Sequence, residues 1–297
     1  MDDTEKTKKK TKKDDIQWHP AFVVAIQGIL IDYSNALDYK IEHPMPTKSL
    51  RIDVLVIKKR RNTVIKKQLA EIFRLENIVE YKSPRDYLSI SEFHKALART
   101  HIYRALTKNV EITDMTLSFV VTSHPRNLFL YLSKVLGYAV EEKHPGIYVV
   151  TGAVVPIQII NIRELSDEEN LWLHNLNLNI PKENARWVSG VDKKYGERID
   201  TSVYVSAIAL ANQDKFNKED HSMWNARTLK IFEELGYLEQ WRKNAIEEGL
   251  KEGLKEGELK GRLKIARAMF AEGDSLAKIA RVTEIPIKRL KKELKVS

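Results

Sequence analysis

The sequence predicts an α/β protein built on a mixed sheet, and three observations carry that reading. Two short runs rich in Ile and Val, residues 51–57 and 77–82, have the composition and length of strands. A β-branched run at 115–122 reads as a further strand, apolar enough to be buried on both faces. Stretches at 20–33 and 91–106, flanking those two runs, repeat their apolar residues with the period of a helix.

The first helix carries Pro20 in its first turn and Phe22, Ile26, Ile29, Leu30 and Tyr33 at helical spacing. A short extended piece at 37–42 and a turn-rich segment at 43–47 separate it from the strand at 51–57. Residues 62–76 read two ways: Thr63-Val64-Ile65 looks extended, whereas 68–75 has helical character. The strand at 77–82 must end by Ser83, because Pro84 cannot donate to a central ladder. Ser91 is the expected cap of the next helix, with Phe93, Leu97, Ile102 and Leu106 on its broad apolar face. After the strand at 115–122 come a helix at 127–136, a hairpin around 143–146 and a strand at 156–162. Up to the strand at 115–122, the order is therefore α-β-β-β-α-β.

Ser166 and Glu169 have the spacing of a capping box, starting a helix at 166–176. From there to Gly236 the pattern is helical, and Trp187, Tyr195, Tyr204, Trp224 and Tyr237 are its expected core. Between Glu248 and Gly261 a Glu-Gly-Leu-Lys pattern repeats every four residues. Its charges at i, i+3 and i+4 support a helix, while each glycine costs about 1 kcal/mol relative to alanine. Either another helix approaches over the small residues, pairing chains into an oligomer, or the segment is an exposed spacer. Beyond it, helices ending at Gly273, starting after Asp274 or Ser275, and starting near Pro286 suggest a helix-turn-helix. Ala277, Ile279, Ala280, Val282, Ile285 and Leu290 are its expected miniature core. The domains expected are thus a disordered charged arm (1–15), a sheet domain (16–178), a helical region (179–240), the Gly-repeat helix (241–262) and a three-helix unit (263–297).

With 297 residues, 43% of them hydrophobic and 31% charged, the chain can bury a substantial core. No apolar run has the length of a membrane span, and no apolar segment near Met1 suggests a secretory signal, so no membrane partner and a cytoplasmic location are expected. The absence of cysteine excludes disulfides, thiol nucleophiles and Cys-ligated zinc. The eight histidines show no metal-ligand spacing, and no serine-hydrolase elbow, phosphate loop or dinucleotide fingerprint is present. A net charge of +9 points to an anionic partner. Residues 276–297 set seven basic side chains against Glu284 and Glu293, and Lys58-Lys59-Arg60-Arg61 forms a second basic run. Within the last helices, Lys278, Arg281, Lys288, Arg289 and Lys292 are the expected DNA contacts.

Asp53 lies in one strand-like run, and Glu80 and Lys82 lie in the other, projecting from the same side of it. If the two runs pair, two carboxylates and an amine meet among apolar neighbours. That is costly unless they pair with one another or bind a metal. Two carboxylates beside an ammonium can hold a hard divalent cation against a phosphate.

These residues resemble the PD-(D/E)XK nuclease superfamily, and within it the Rpn-type recombination-promoting nucleases, also labelled transposases. The resemblance rests on Arg51-Ile52-Asp53-Val54-Leu55, on Asn77-Ile78-Val79-Glu80-Tyr81-Lys82-Ser83-Pro84, on the Glu-Gly-Leu-Lys repeats and on the terminal helix-turn-helix pattern. It implies a restriction-endonuclease-like core and a DNA endonuclease dependent on Mg²⁺ (or Mn²⁺), acting in recombination or mobile-element biology. It also implies that Asp53, Glu80 and the main-chain carbonyl of Tyr81 hold the metal, and that Lys82 orients or deprotonates the attacking water. A lysine near a bound cation should have a lowered pKa. His94, Lys95 and Arg99, on the following helix, are candidate phosphate contacts. The chain departs from the family pattern at Ile52, where proline is usual, and on the first helix, which lacks the usual glutamate. Gln27 and Asp32 are the alternatives there. The departure leaves open a catalytically inactive nuclease fold that binds DNA or serves as an oligomeric scaffold.

Overall fold

The computed structural model describes residues 16–41, 54–216 and 224–294. The charged arm at 1–15 and the turn-rich segment at 43–47 lie outside the described residues. Two compact units divide at Leu235 and Gly236.

The first unit is an α/β structure around a mixed seven-stranded sheet. In chain order its elements begin with α1 (Trp18–Ile29), β1 (Leu37–Ile41), β2 (Val54–Lys59), β3 (Glu76–Tyr81), α2 (Ile90–Leu106) and β4 (Met115–Val121). They continue with α3 (Arg126–Lys134), the hairpin β5 (Ala139–His144) and β6 (Ile147–Thr151), then β7 (Ile157–Asn161). Helices α4 (Asp167–His174), α5 (Lys182–Tyr195), α6 (Ser202–Ala211) and α7 (Ala226–Glu234) complete it. The strand order is β1-β2-β3-β4-β7-β6-β5, parallel at β3/β4 and β4/β7 and antiparallel elsewhere. Every residue of β3, β4 and β7 is buried, including Glu76, Asn77 and Glu80 of β3.

Alternation divides the side chains of the sheet between two layers. Val56, Ile78, Leu117, Phe119 and Ile159 share a core with Phe93 and Ala96 of α2 and Leu128 and Leu132 of α3. On the other face Phe22 of α1 stacks on Tyr81, with ring centroids 4.6 Å apart. Helices α4 and α6 pack against α1, so the helical region after residue 178 belongs to the same unit as the sheet. Buried Asp192 of α5 ties that layer together: it accepts hydrogen bonds from Thr201 and Arg227, and from Asn225 (2.6 Å), which caps α7.

Several local expectations differ from what the chain does. The cap of α2 is Ser89, whose hydroxyl accepts from the Glu92 amide, so the helix begins one residue before Ser91. Ser166 precedes α4 but makes no side-chain cap bond; Asn170, non-helical in φ and ψ, instead donates to the Ser166 carbonyl. The ambiguous stretch 62–76 forms a turn and a single 3-10 turn at Gln68–Ala70, neither strand nor α-helix before β3.

The second unit opens with α8 (Tyr237–Ala271), 35 residues that include the whole Gly repeat. Gly273 (φ +88°) ends it, and Ser275 caps α9 (Leu276–Thr283) by accepting from the Lys278 amide. After Glu284 in the left-handed region, α10 (Ile287–Leu294) follows Pro286. Ala266, Ile279, Ile285 and Leu290 form the buried cluster. Val282, expected in that core, is 54% exposed. The inward stripe of α9 runs through Leu276, Ile279 and Thr283 instead, and the Thr283 hydroxyl is satisfied by the Ile279 carbonyl. Ala277, also expected inside, is exposed.

Candidate active site

Strand β3 turns Glu76 and Glu80 toward α2. Its register pairs Glu76 with Lys58, Ile78 with Val56 and Glu80 with Val54 on β2. Lys82 follows directly after the strand and donates its amide to the Val120 carbonyl of β4. Its side chain therefore stays on the Glu80 side of the sheet edge, and the Lys82 ammonium lies 3.1 Å from Glu80 Oε1.

The same Glu80 oxygen accepts from Nη2 of Arg99 at 2.8 Å. Arg99 occupies a core position of α2, between Ala96 and Tyr103, so its guanidinium reaches the strand through a nearly dry layer. Glu92, seven residues earlier and so on the same helix face, accepts from Lys82 at 2.8 Å through one oxygen and from Lys95 at 2.7 Å through the other. These groups, with His19 of α1 and the half-exposed Tyr87, line a cleft of about 390 Å³.

Glu80 is 6% exposed, and its Oε2 has no hydrogen-bond donor among the described residues. A buried carboxylate oxygen without a donor forfeits on the order of 1–3 kcal/mol, so it suits a cation that enters the cleft. Glu76, on the same face, contrasts with it: one of its oxygens accepts from Lys58 at 2.7 Å and the other from the Tyr103 hydroxyl at 2.9 Å.

Burial pulls the Lys82 ammonium down, but hydrogen bonds and charge from Glu92 and Glu80 outweigh it, and its pKa rises above the ordinary lysine value. The lowered value expected from the sequence is that of a lysine beside a bound cation, a different electrostatic setting. The carboxylates that hold Lys82 stabilise its charged form. Hydrogen bonds from Lys82 and Lys95 hold the Glu92 carboxyl down at about 2. Burial, with the charge of Asp86, pushes the Tyr81 phenol above its usual range.

Of the residues singled out in the sequence, the structure brings Glu80, Tyr81 and Lys82 into one cleft. Asp53 lies outside the described residues; Val54, the next residue in the chain, is the Cα partner of Glu80. Asp32 is placed elsewhere: it is exposed, pairs with Arg198 at 3.4 Å, and lines a separate cavity. Half-buried Gln27 sits eight residues beyond His19 on α1, about 12 Å along the axis. The helix therefore offers His19 to the cleft rather than either expected residue, because its amino-terminal end is the one that meets β3. His94 points away and shares a 2.8 Å hydrogen bond with Tyr131. Glu92 was not anticipated, although its seven-residue spacing from Arg99 across a Phe93–Ala96 face signals it. In the basic run, Lys58 and Lys59 bond to Glu76 and the Thr63 carbonyl, while Arg60 and Arg61 are exposed.

Among the described residues no group of three or more His, Cys, Asp or Glu side chains is placed to hold a metal ion, and no helix is long and apolar enough to cross a membrane. In the second unit Lys278, Arg281, Lys288, Arg289 and Lys292 are all exposed, with Lys278 held by Asp274 at 2.7 Å. Comparison with protein-family models, with curated proteins and with solved structures gave no match.

Proposed function

We propose that the chain is a cytoplasmic, Mg²⁺- or Mn²⁺-dependent DNA endonuclease with a restriction-endonuclease-like core, centred on Glu80 and Lys82. The observation that carries this reading is Glu80 Oε2, buried in a cleft beside an ammonium and without a donor among the described residues. Glu80, with Asp53 and the Tyr81 carbonyl assigned by the family resemblance, would hold the cation. Such a cation lowers the pKa of a bound water and neutralises charge developing on a phosphate. Arg99 orients Glu80 by fixing the other oxygen. Lys82, 3.1 Å from Glu80, would orient or help deprotonate the attacking water and steady charge on the phosphate.

The reading sets a requirement on β2. Val56 and Lys58 share the face of Glu80, and Leu55 and Ile57 alternate to the other. The Asp53 carboxylate would have to reach the same face as Glu80. Supercoiled plasmid incubated with the purified chain should be nicked with Mg²⁺ or Mn²⁺ and not with chelator. Asp53→Ala and Lys82→Ala should each abolish nicking; nicking that survives both removes the assignment.

The exposed cations of α9 and α10 support a helix-turn-helix role in DNA binding, and the resemblance supports recombination or mobile-element biology. Gel-shift affinity should fall with salt, and Lys288→Ala with Arg289→Ala should flatten that slope by about two counterions.

A second reading follows from the same salt bridges. Lys82 is held between two carboxylates, and Glu92 has both oxygens engaged, as in an ion-pair network that serves the fold alone. An inactive nuclease fold that binds DNA or assembles as a scaffold would show the gel shift without metal-dependent nicking.

A further inference from the structure

A second cavity of about 330 Å³ lies at the opposite end of α1 from the Glu80 cleft, where α1, α4 and α5 meet Lys67. Its walls are aromatic. Trp172 meets Trp187 edge-on at 5.3 Å between centroids and inclines against Tyr195 at the same distance. Gly28 admits the Trp172 indole, since a Cβ there would lie 2.2 Å from the ring.

The remaining lining is cationic. Lys67, Lys194 and Arg198 face a single carboxylate, Asp32. Arg198 is fixed by donating to the Ile31 carbonyl at 2.7 Å and to Asp32 at 3.4 Å. The Lys194 ammonium lies 5.1 Å from the centroid of the Tyr195 ring. Lys67 and Lys194 have no carboxylate partner among the described residues. A second cavity of about 280 Å³ shares Trp187, Lys194 and Tyr195, so this aromatic and basic ridge is open on two sides.

We propose that this cavity binds a nucleotide unit, its base against Trp187 and Tyr195 and its phosphate on Lys67 and Lys194. An apolar ligand would strip water from unpaired ammonium groups with nothing to replace it. A bare anion would leave the aromatic walls without a use. A ligand with a flat π-system and a negative charge satisfies both, by stacking and by charge-assisted hydrogen bonds. The volume is at the lower end of the roughly 300–1,000 Å³ typical of small-molecule sites, which matches one nucleotide. That unit comes either as a free mononucleotide or as one residue of a single strand. The site is separate from the Glu80 cleft, and binding here is independent of whether that cleft cleaves DNA.

The test is calorimetric titration of the full chain with deoxyadenosine monophosphate, deoxyadenosine, inorganic phosphate and a short single-stranded oligodeoxyadenylate. The monophosphate should bind at least about tenfold more tightly than deoxyadenosine or phosphate alone. Lys67→Ala combined with Lys194→Ala, and separately Trp187→Leu, should each weaken it at least about tenfold. Circular dichroism should show the lysine variant folded, since neither side chain holds the core. Binding of the oligonucleotide alone, with the same sensitivity, assigns the site to a strand. No heat from either ligand, or binding unchanged in the double lysine variant, overturns the proposal.

Discussion

Glu76 and Glu80 lie four residues apart on one face of β3, and among the described residues only Glu76 has a donor on each carboxylate oxygen. Both oppose α2, through Tyr103 and Arg99 respectively, yet they carry different burdens. Glu76 closes a local network whose cation, Lys58, still reaches water. Glu80 neutralises an arginine that is only 9% exposed, and it does so through one oxygen. Glu80→Ala should therefore cost about 3–5 kcal/mol, because it leaves a buried guanidinium unpaired. Arg99→Leu added to that variant should recover part of the loss, and urea midpoints of the two singles and the double measure the coupling. Strict additivity would show that the pair does not interact as the geometry requires.

Acid should loosen the rim of the same cleft through Glu92. Its folded-state carboxyl is depressed to about 2, so its contribution to stability is complete above the unfolded value, about 4.5, and is lost as the pH falls through the folded one. Lys82, whose folded pKa is raised, contributes fully below the unfolded lysine value and loses that contribution as the pH rises past the folded one. Denaturant unfolding between about pH 5 and pH 2 should show a decline that is shallower in Glu92→Gln.

The sheet was legible because its central strands are short runs rich in Ile and Val, whereas its helices repeat their apolar residues with a helical period. Residues 77–82 and 115–122 coincide with β3 and β4 to within one residue. Local caps were less legible, since Ser89 and Ser91 have equal capping chemistry and only the packing of Phe93 and Ala96 decides between them. The candidate site was half legible. Lys82 follows Glu80 by two residues in one extended run, so their proximity follows from alternation, whereas Arg99 and Glu92 reach them across a helix whose rotation no spacing rule fixes. Asp32 illustrates the limit: the helix expected over 20–33 ends at Ile29, and Asp32 lies in the 3-10 segment Ile31–Ala36, lining a different cavity.

Helix α1 packs closely at Gly28. Any side chain there meets Trp172, whose ring also packs against Trp187, Tyr195 and Tyr204. Gly28→Ala ordinarily favours a helix by about 1 kcal/mol, but overpacking here should cost about 1–3 kcal/mol and reverse the sign. Gly28→Ala with Trp172→Leu should restore stability relative to Trp172→Leu alone. Thermal unfolding of the four proteins distinguishes a steric cause from a propensity effect.

The repeat glycines of α8 should behave in the opposite way. A Cβ added at Gly249, Gly253, Gly257 or Gly261 meets nothing within 4 Å, and each glycine loses backbone entropy in the helix without giving close packing in return. Replacing all four by alanine should stabilise α8 by about 1 kcal/mol per site, seen as slower amide hydrogen exchange across Glu248–Gly261. If the small residues instead form the seam of a second copy, the four methyl groups would hold the helices apart. The variant would then dissociate in sedimentation while its exchange slowed. Slower exchange with unchanged sedimentation identifies the segment as a spacer whose glycines tune its flexibility.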